Sequence, residues 1–165
     1  MRKQTAMEMT AETAYNRLAN KCARAECCAA DLMKSMQRWG IEPREQAQIV
    51  ARLMREGFID ESRFAHAFVR DKFRFSHWGA VRIRQELRLR QIADSVIDDA
   101  LTEIEEGDNL AELRRLIEQK RRSTKSQSDY ELRGKLIRYA LGRGFSYSDI
   151  SKVIDCDDIE PGESD

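Results

Sequence analysis

The chain holds few of the residues that break helices. Only Pro43 and Pro161 are prolines among 165 residues, and there are 8 glycines. With Ala, Leu, Arg and Glu abundant, the chain reads as all-α. Cysteine is sparse: Cys22, Cys27, Cys28 and Cys156, with no CxxC spacing. The two histidines, His66 and His77, lie far from them in sequence. That argues against a zinc site. A disulfide framework is disfavoured too, because the chain is large and lacks secretory features. Met1 to Thr10 carries Arg2 and Lys3 but no apolar run, so it does not read as a signal peptide. No stretch approaches the length of a membrane span. The expectation is a cytoplasmic protein without membrane contact. The P-loop, HExxH and GxGxxG patterns are all missing. No Ser or Cys stands near either histidine as a nucleophile. The chain therefore reads as no enzyme, with no metal and no cofactor.

An excess of either charge is also lacking. Lys+Arg and Asp+Glu are both 29, so the net charge is zero. A protein that holds nucleic acid by bulk charge is normally basic. A local basic patch stays open, and a protein partner fits equally well.

What is present is helical periodicity. The stretch from Gly57 to Arg70 is a helix stop followed at once by a start. Gly57 can close one helix in the left-handed conformation, and Asp60 can cap the next. Along that next helix Phe64, Phe68 and Phe75 point one way, with Ala65, Val69 and Phe73 broadening the face. Arg63, Arg70 and Arg74 fall within about 40° of one another on another side. Nine helices are expected in all. The first, Thr10 to Ala25, puts Ala11, Tyr15, Leu18 and Cys22 inward. The second runs from Glu26 to Trp39 and stops at Gly40. Pro43 opens the third, which stops at Gly57. The fourth ends near Ser76 to Gly79. The fifth spans 80–90 and the sixth 94–105. Gly107-Asp108 breaks the chain before a seventh over 109–122. Ser128 and Ser146 cap the eighth and ninth, the eighth ending at Gly144.

The chain repeats itself. Trp39-Gly40-Ile41, Arg90-Gln91-Ile92 and Arg143-Gly144-Phe145 hold the same place in three blocks. The stops are 51 and 53 positions apart. Leu32, Ile83 and Leu136 lie eight positions before them, and Val50, Leu101 and Ile154 ten positions after. One block of about 50 residues is marginal alone, so the blocks should stack. The spacing predicts an arm at 1–9, three-helix repeats at 10–57, 58–106 and 107–155, and an acidic tail at 156–165. Gln91 stands where the other blocks have glycine. It predicts a non-glycine residue with positive φ or a looser turn.

Charge is blocked along the chain. From Arg63 to Arg90 eight bases face only Asp71 and Glu86; from Asp94 to Glu112 there are eight acids and no base. The sign reverses again from Arg114 to Lys125. Two readings are open for the basic helices. They can neutralise the acidic helix beside them, above all through Arg84 and Arg88. Or they can present a groove to a polyanion or an acidic protein surface. The candidates for binding are Arg63, Arg70, Arg74, Arg82, Arg84, Arg88, Lys120, Arg121, Arg122 and Lys125. Arg84 and Arg88 are four apart, which is unfavourable on a helix unless something pairs with them. Lys120 to Lys125 sit at a helix end, where cations are favoured in any case.

The run "GFIDESRFAHAFVRDKF", followed by "GAVRIRQELRLRQI", resembles the centre of the RecX family of RecA regulators. Ile59, Asp60, Arg63, Phe64 and Ala65 match its entry to a central helix. Gly79, Ile83, Glu86 and Leu87 match a second run, and Gly144, Phe145 and Ser146 a third. Gln91 and the Cys27-Cys28 pair depart from the family pattern. The resemblance implies stacked three-helix repeats forming an elongated, curved body. It implies a monomeric regulator that binds the RecA nucleoprotein filament and inhibits RecA, acting on recombination, DNA repair and the SOS response. Single- or double-stranded DNA would be bound only weakly. The alternatives are a helix-turn-helix-like DNA-binding protein, with Gly144-Phe145-Ser146 as its turn, and a helical scaffold with no nucleic-acid contact.

Overall fold

The computed structural model describes residues 8–154. The expected tail, Cys156 and most of the expected arm lie outside the described residues. Within them the chain forms nine α-helices and no strand. They are α1 (Ala11–Arg24), α2 (Ala29–Arg38), α3 (Pro43–Arg55), α4 (Glu61–Arg74), α5 (Ala80–Leu89), α6 (Asp94–Leu101), α7 (Glu106–Ser123), α8 (Asp129–Gly142) and α9 (Tyr147–Val153).

The starts follow the side-chain caps. Thr10, Asp60, Ser128 and Ser146 each accept a hydrogen bond from the backbone N–H three residues on, at 3.2, 2.8, 3.1 and 3.1 Å. Each satisfies one donor that a helix start leaves orphaned. Pro43 opens α3, where its missing N–H costs nothing.

The stops repeat in geometry as well as position. Gly40 N–H donates to Gln37 O and Ile41 N–H to Met36 O, both at 3.1 Å. Gln91 and Ile92 do the same with Arg88 and Leu87, and Gly144 and Phe145 with Leu141 and Ala140. This is the Schellman closure, in which the residue after the cap takes positive φ. Gly40 has φ 75°, Gly144 has φ 94° and Gln91 has φ 60°. Gln91 therefore keeps the closure without being glycine. The hydrophobic pair that accompanies the closure is buried each time: Met36 with Ile41, Leu87 with Ile92, Ala140 with Phe145.

These turns fold each middle helix back on a third, so the helices form three units in tandem. The closely packed helix pairs all lie within α1–α3, α4–α6 or α7–α9. Each unit has its own core. Leu18, Leu32, Met36 and Leu53 anchor the first; Phe68, Ile83, Leu87 and Ile97 the second; Leu113, Leu136, Phe145 and Ile150 the third. Burying each such side chain contributes about 1.5–3 kcal/mol.

Three expectations need correction. Phe75 is 76 % exposed, not on the core face. It is the C-cap residue of α4, its N–H donating to Asp71 O at 2.8 Å. The chain reverses there through His77, at φ 56°. Trp78 returns to pack edge-on against Phe68, ring centroids 6.4 Å apart, and fills that end of the core. Second, α2 begins at Ala29 rather than Glu26. The backbone is extended at Ala25 and again at Cys28. Successive side chains in extended chain point opposite ways. Cys27 enters the first core and Cys28 the second. Third, Gly107 lies inside α7 instead of breaking the chain. The break falls earlier, where Thr102, Glu103 and Ile104 donate to Asp99, Ala100 and Leu101 O and close four-residue turns. Glu106 and Asp108 then favour the start of α7 as anions at a helix N-terminus.

Candidate functional site

The basic residues divide into those that meet a carboxylate and those that do not. In the second unit α4 and α5 both flank the acidic α6 and the turn after it. Arg70 Nη1 lies 3.0 Å from Glu103, Arg84 Nη1 2.6 Å from Asp98 and Arg88 Nε 2.8 Å from Asp94. The Arg88 guanidinium holds the Asp94 carboxyl below its usual range, and Asp94 in turn raises Arg88. His66 sits in the same seam, 3.0 Å from Asp99 and 2.5 Å from Glu103. Hydrogen bonds to Asp99 first, and to Glu103, push its imidazole above the ordinary histidine value.

Arg63 is spent on the join between the first two units. Its Nε lies 3.0 Å from Glu26, and its Nη2 donates to Gly57 O at 2.8 Å. Arg90 adds a second tie across that join, 3.3 Å from Asp31. Two of the three arginines that share one side of α4, Arg63 and Arg70, are therefore engaged with carboxylates. The facing acids come from other elements, which helical periodicity alone does not show.

Arg74 and Arg82 have no carboxylate partner among the described residues. Arg74 is exposed. The Arg82 guanidinium lies 4.1 Å from the centroid of the Trp78 ring, and Lys72 Nζ lies 4.8 Å from it. Trp78 with Lys72 and Arg82 makes one cationic and aromatic cluster, while Arg74 projects from the other side of α4.

A second group of cations is in the third unit. Arg121 and Arg122 share Glu118, at 3.9 and 3.3 Å. Lys120 and Lys125 have no carboxylate within reach among the described residues. They border a shallow, open depression between the end of α7 and the face of α8, with Thr124, Lys135, Arg138 and Tyr139. Lys135, Arg138 and Tyr139 were not candidates from the sequence. The spacing of Lys135, Arg138 and Tyr139 puts them on one side of α8, but only the α7–α8 hairpin brings them opposite Lys120.

The helix-turn-helix reading loses ground at α9. Lys152 is held by Glu106 at 2.8 Å, and Asp149 by Asn109 at 3.0 Å. Little cationic surface is left on that helix to face phosphate. Among the described residues, no group of His, Cys, Asp or Glu is placed to hold a metal ion. No helix there is long and apolar enough to cross a membrane.

Comparison with known proteins decides the family. Residues 60–101 match the family described as "RecX, second three-helix domain", and residues 106–154 match "RecX, third three-helix domain". The regulatory protein RecX of Pseudomonas fluorescens is 33% identical over 132 residues, covering 80% of this chain and 83% of that protein. The chain belongs to the RecX family. The RecX of Halorhodospira halophila is 41% identical over 83 residues, 50% of this chain and 51% of that protein. The chain thus spans about half the length of that relative. A crystal structure of regulatory protein RecX superposes with a TM-score of 0.79 over 87% of this chain and 72% of that one, at 24% identity. RecX from Lactobacillus salivarius gives 0.72 over 87% of this chain and 94% of that one, at 22%. Those two likenesses speak to the fold. The relatives are named regulatory proteins.

Proposed function

We propose that this RecX-family chain binds the RecA nucleoprotein filament and inhibits RecA recombinase and ATPase activity, acting in the cytoplasm on recombination, DNA repair and the SOS response. The observation that carries the reading is the division of charge. In a chain of zero net charge, most bases of the second unit are neutralised internally. Of the cations left without a carboxylate partner, Lys72 and Arg82 meet at Trp78, Arg74 stands exposed on α4, and Lys120, Lys125 and Arg138 border one depression, while others, among them Arg17, Arg44, Arg55, Arg114 and Arg133, are spread over the described residues. A filament exposes both protein and phosphate, so a ligand with separate cationic and neutralised surfaces suits it better than one that is basic throughout. The repeats at 10–57, 58–106 and 107–155 are the units that would lie along it.

In this reading Arg74, Arg82, Lys120 and Lys125 make contacts. Arg63, Arg70, Arg84 and Arg88 are neutralised internally, and Arg121 and Arg122 are partly compensated by Glu118. The test is RecA ATPase on single-stranded DNA with the protein added. Inhibition should fall at least tenfold in potency for Arg74→Glu with Arg82→Glu in a variant of unchanged helicity. Absence of inhibition by the unmodified protein would refute the function, and unchanged potency in the variant would refute the assignment.

A further inference from the structure

We infer that residues 155–165 dock, within the same molecule, on the cationic surface at the C-terminal end of α7. The docking concerns this chain alone; its consequence for regulation rests on the reading above.

The zero net charge is the sum of two unequal parts. Asp155, Asp157, Asp158, Glu160, Glu163 and Asp165 are six acids in eleven residues, with no base among them. All 29 bases therefore lie in residues 1–154, where the acids, 29 less these six, leave an excess of six positive charges. An acidic segment beside a basic body is attracted to it, and the distribution of the body's charge says where.

Helix α7 has ends of opposite sign. Its first turn carries Glu106 and Asp108, and its last turn Lys120, Arg121 and Arg122. Glu118 stands near the basic end and serves Arg121 and Arg122, at 3.9 and 3.3 Å. Lys135 of α8 is held by Glu131 at 2.8 Å. Lys120, Lys125 and Arg138, around the same depression, have no carboxylate partner among the described residues. The bare carbonyls of a helix end repel anions. Here Thr124 Oγ1 and Ser123 Oγ donate to Lys120 O at 2.6 and 3.1 Å, so that carbonyl is covered.

The last described residues place the start of the acidic segment at the other end of α7. Lys152 Nζ lies 2.8 Å from Glu106, and Asn109 donates to Asp149 at 3.0 Å, so α9 runs beside the start of α7. Glu105 and Asp108 repel an acidic segment from that end. From Asn109 to Lys120 α7 rises about 17 Å, and eleven residues can span up to about 36 Å. The reach is sufficient, and a tether this short supplies an effective concentration on the order of millimolar. Several carboxylates facing three unpaired cations then make a contact that no single exposed pair would hold. In the filament reading, this segment and the phosphates of the filament compete for Lys120 and Lys125, so the segment sets how often that surface is open.

The probe is a nitroxide on the thiol of a Ser164→Cys variant of the full chain, with Cys22→Ala and Cys156→Ala so that no other accessible thiol is labelled. Paramagnetic broadening of backbone amide signals is read without RecA. At low salt the amides of Lys120, Lys125 and Arg138 should broaden at least twofold, and they should recover at 1 M salt, where charges are screened beyond about 3 Å. Lys125→Glu with Arg138→Glu should abolish the effect. Arg44→Glu with Arg55→Glu, an equal change of charge in the first unit, should not. If the first variant loses helicity by circular dichroism, Asp157→Asn, Asp158→Asn and Glu160→Gln together take its place, since they leave the described residues untouched. The inference is overturned if the broadening stays near Ile154, falls on the first or second unit, survives 1 M salt or grows with protein concentration. RecA ATPase inhibition is measured in parallel. Neutralising the three acids should raise its potency about threefold, as when a competent surface is otherwise open a third of the time; unchanged potency would overturn the regulatory consequence. Docking without any inhibition of RecA would count against the filament reading and leave the docking standing; inhibition without docking would do the reverse.

Discussion

Gly79 and Gly144 meet backbone against backbone. Gly79 N–H donates to Arg143 O at 2.8 Å, and Val81 N–H to Gly144 O at 2.9 Å. The start of α5 is thereby hydrogen-bonded to the turn between α8 and α9. A Cβ on Gly79 would overlap Gly144 O, and one on Gly144 would overlap the Cβ of Arg82. Arg143 donates to Ser76 O, and His77 Nδ1 lies 2.6 Å from Glu112 of α7. The second and third units are therefore joined by main chain. The first and second are joined by side chains, through Arg63 with Glu26 and Arg90 with Asp31.

Gly79→Ala or Gly144→Ala should cost about 2–3 kcal/mol of unfolding free energy, because backbone must shift to admit the methyl group. Gly40→Ala should cost only about 1 kcal/mol, since its positive φ is strained for alanine but nothing lies near the added Cβ. Urea denaturation of the three variants measures the difference. Equal losses would show that the join is not close-packed.

Gln91→Gly should stabilise the protein by up to about 1 kcal/mol. Its φ of 60° is one that glycine adopts freely, and its side chain is exposed. A loss of stability in the same denaturation assay would mean that Gln91 contributes a contact that offsets its backbone strain.

The closures were legible in the sequence because they depend on a local pattern: a stop residue followed by an apolar residue. The caps at Asp60, Ser128 and Ser146 were legible for the same reason. The exposure of Phe75 was not legible, because periodicity does not say how far along a helix the core covers it. The fate of Arg63 and Arg70 was hidden because Glu26 and Glu103 lie 37 and 33 residues away. The depression was half visible: Lys120 and Lys125 stood out as a basic run, but Lys135 and Arg138 acquire meaning only once α8 folds back on α7.

His66 gives the α4–α6 seam a dependence on pH. Its folded value is raised by Asp99 and Glu103, so protonation favours the native state. That stabilisation is fully present below the unfolded histidine value of about 6.5 and is lost as pH rises through the folded value. An NMR titration should place His66 above 6.5, and the fall in stability over that window should shrink in His66→Gln. A His66 titration at or below the unfolded value would contradict the seam.

Arg84→Ala and Arg88→Ala should each cost less than about 1 kcal/mol, as exposed ion pairs do. Both should leave RecA inhibition within twofold of the unmodified protein. A large loss of inhibition with stability unchanged would move these residues from internal neutralisation to binding.

The most direct measurement compares two triple charge reversals for inhibition of RecA ATPase on single-stranded DNA. One changes Arg74, Arg82 and Lys125 to Glu; the other changes Arg70, Arg84 and Arg88 to Glu. With both folded, the first should lose inhibition by at least tenfold, while the second keeps it at concentrations where its helicity is native. Inhibition that survives the first and disappears in the second would contradict the division of charge on which the account stands.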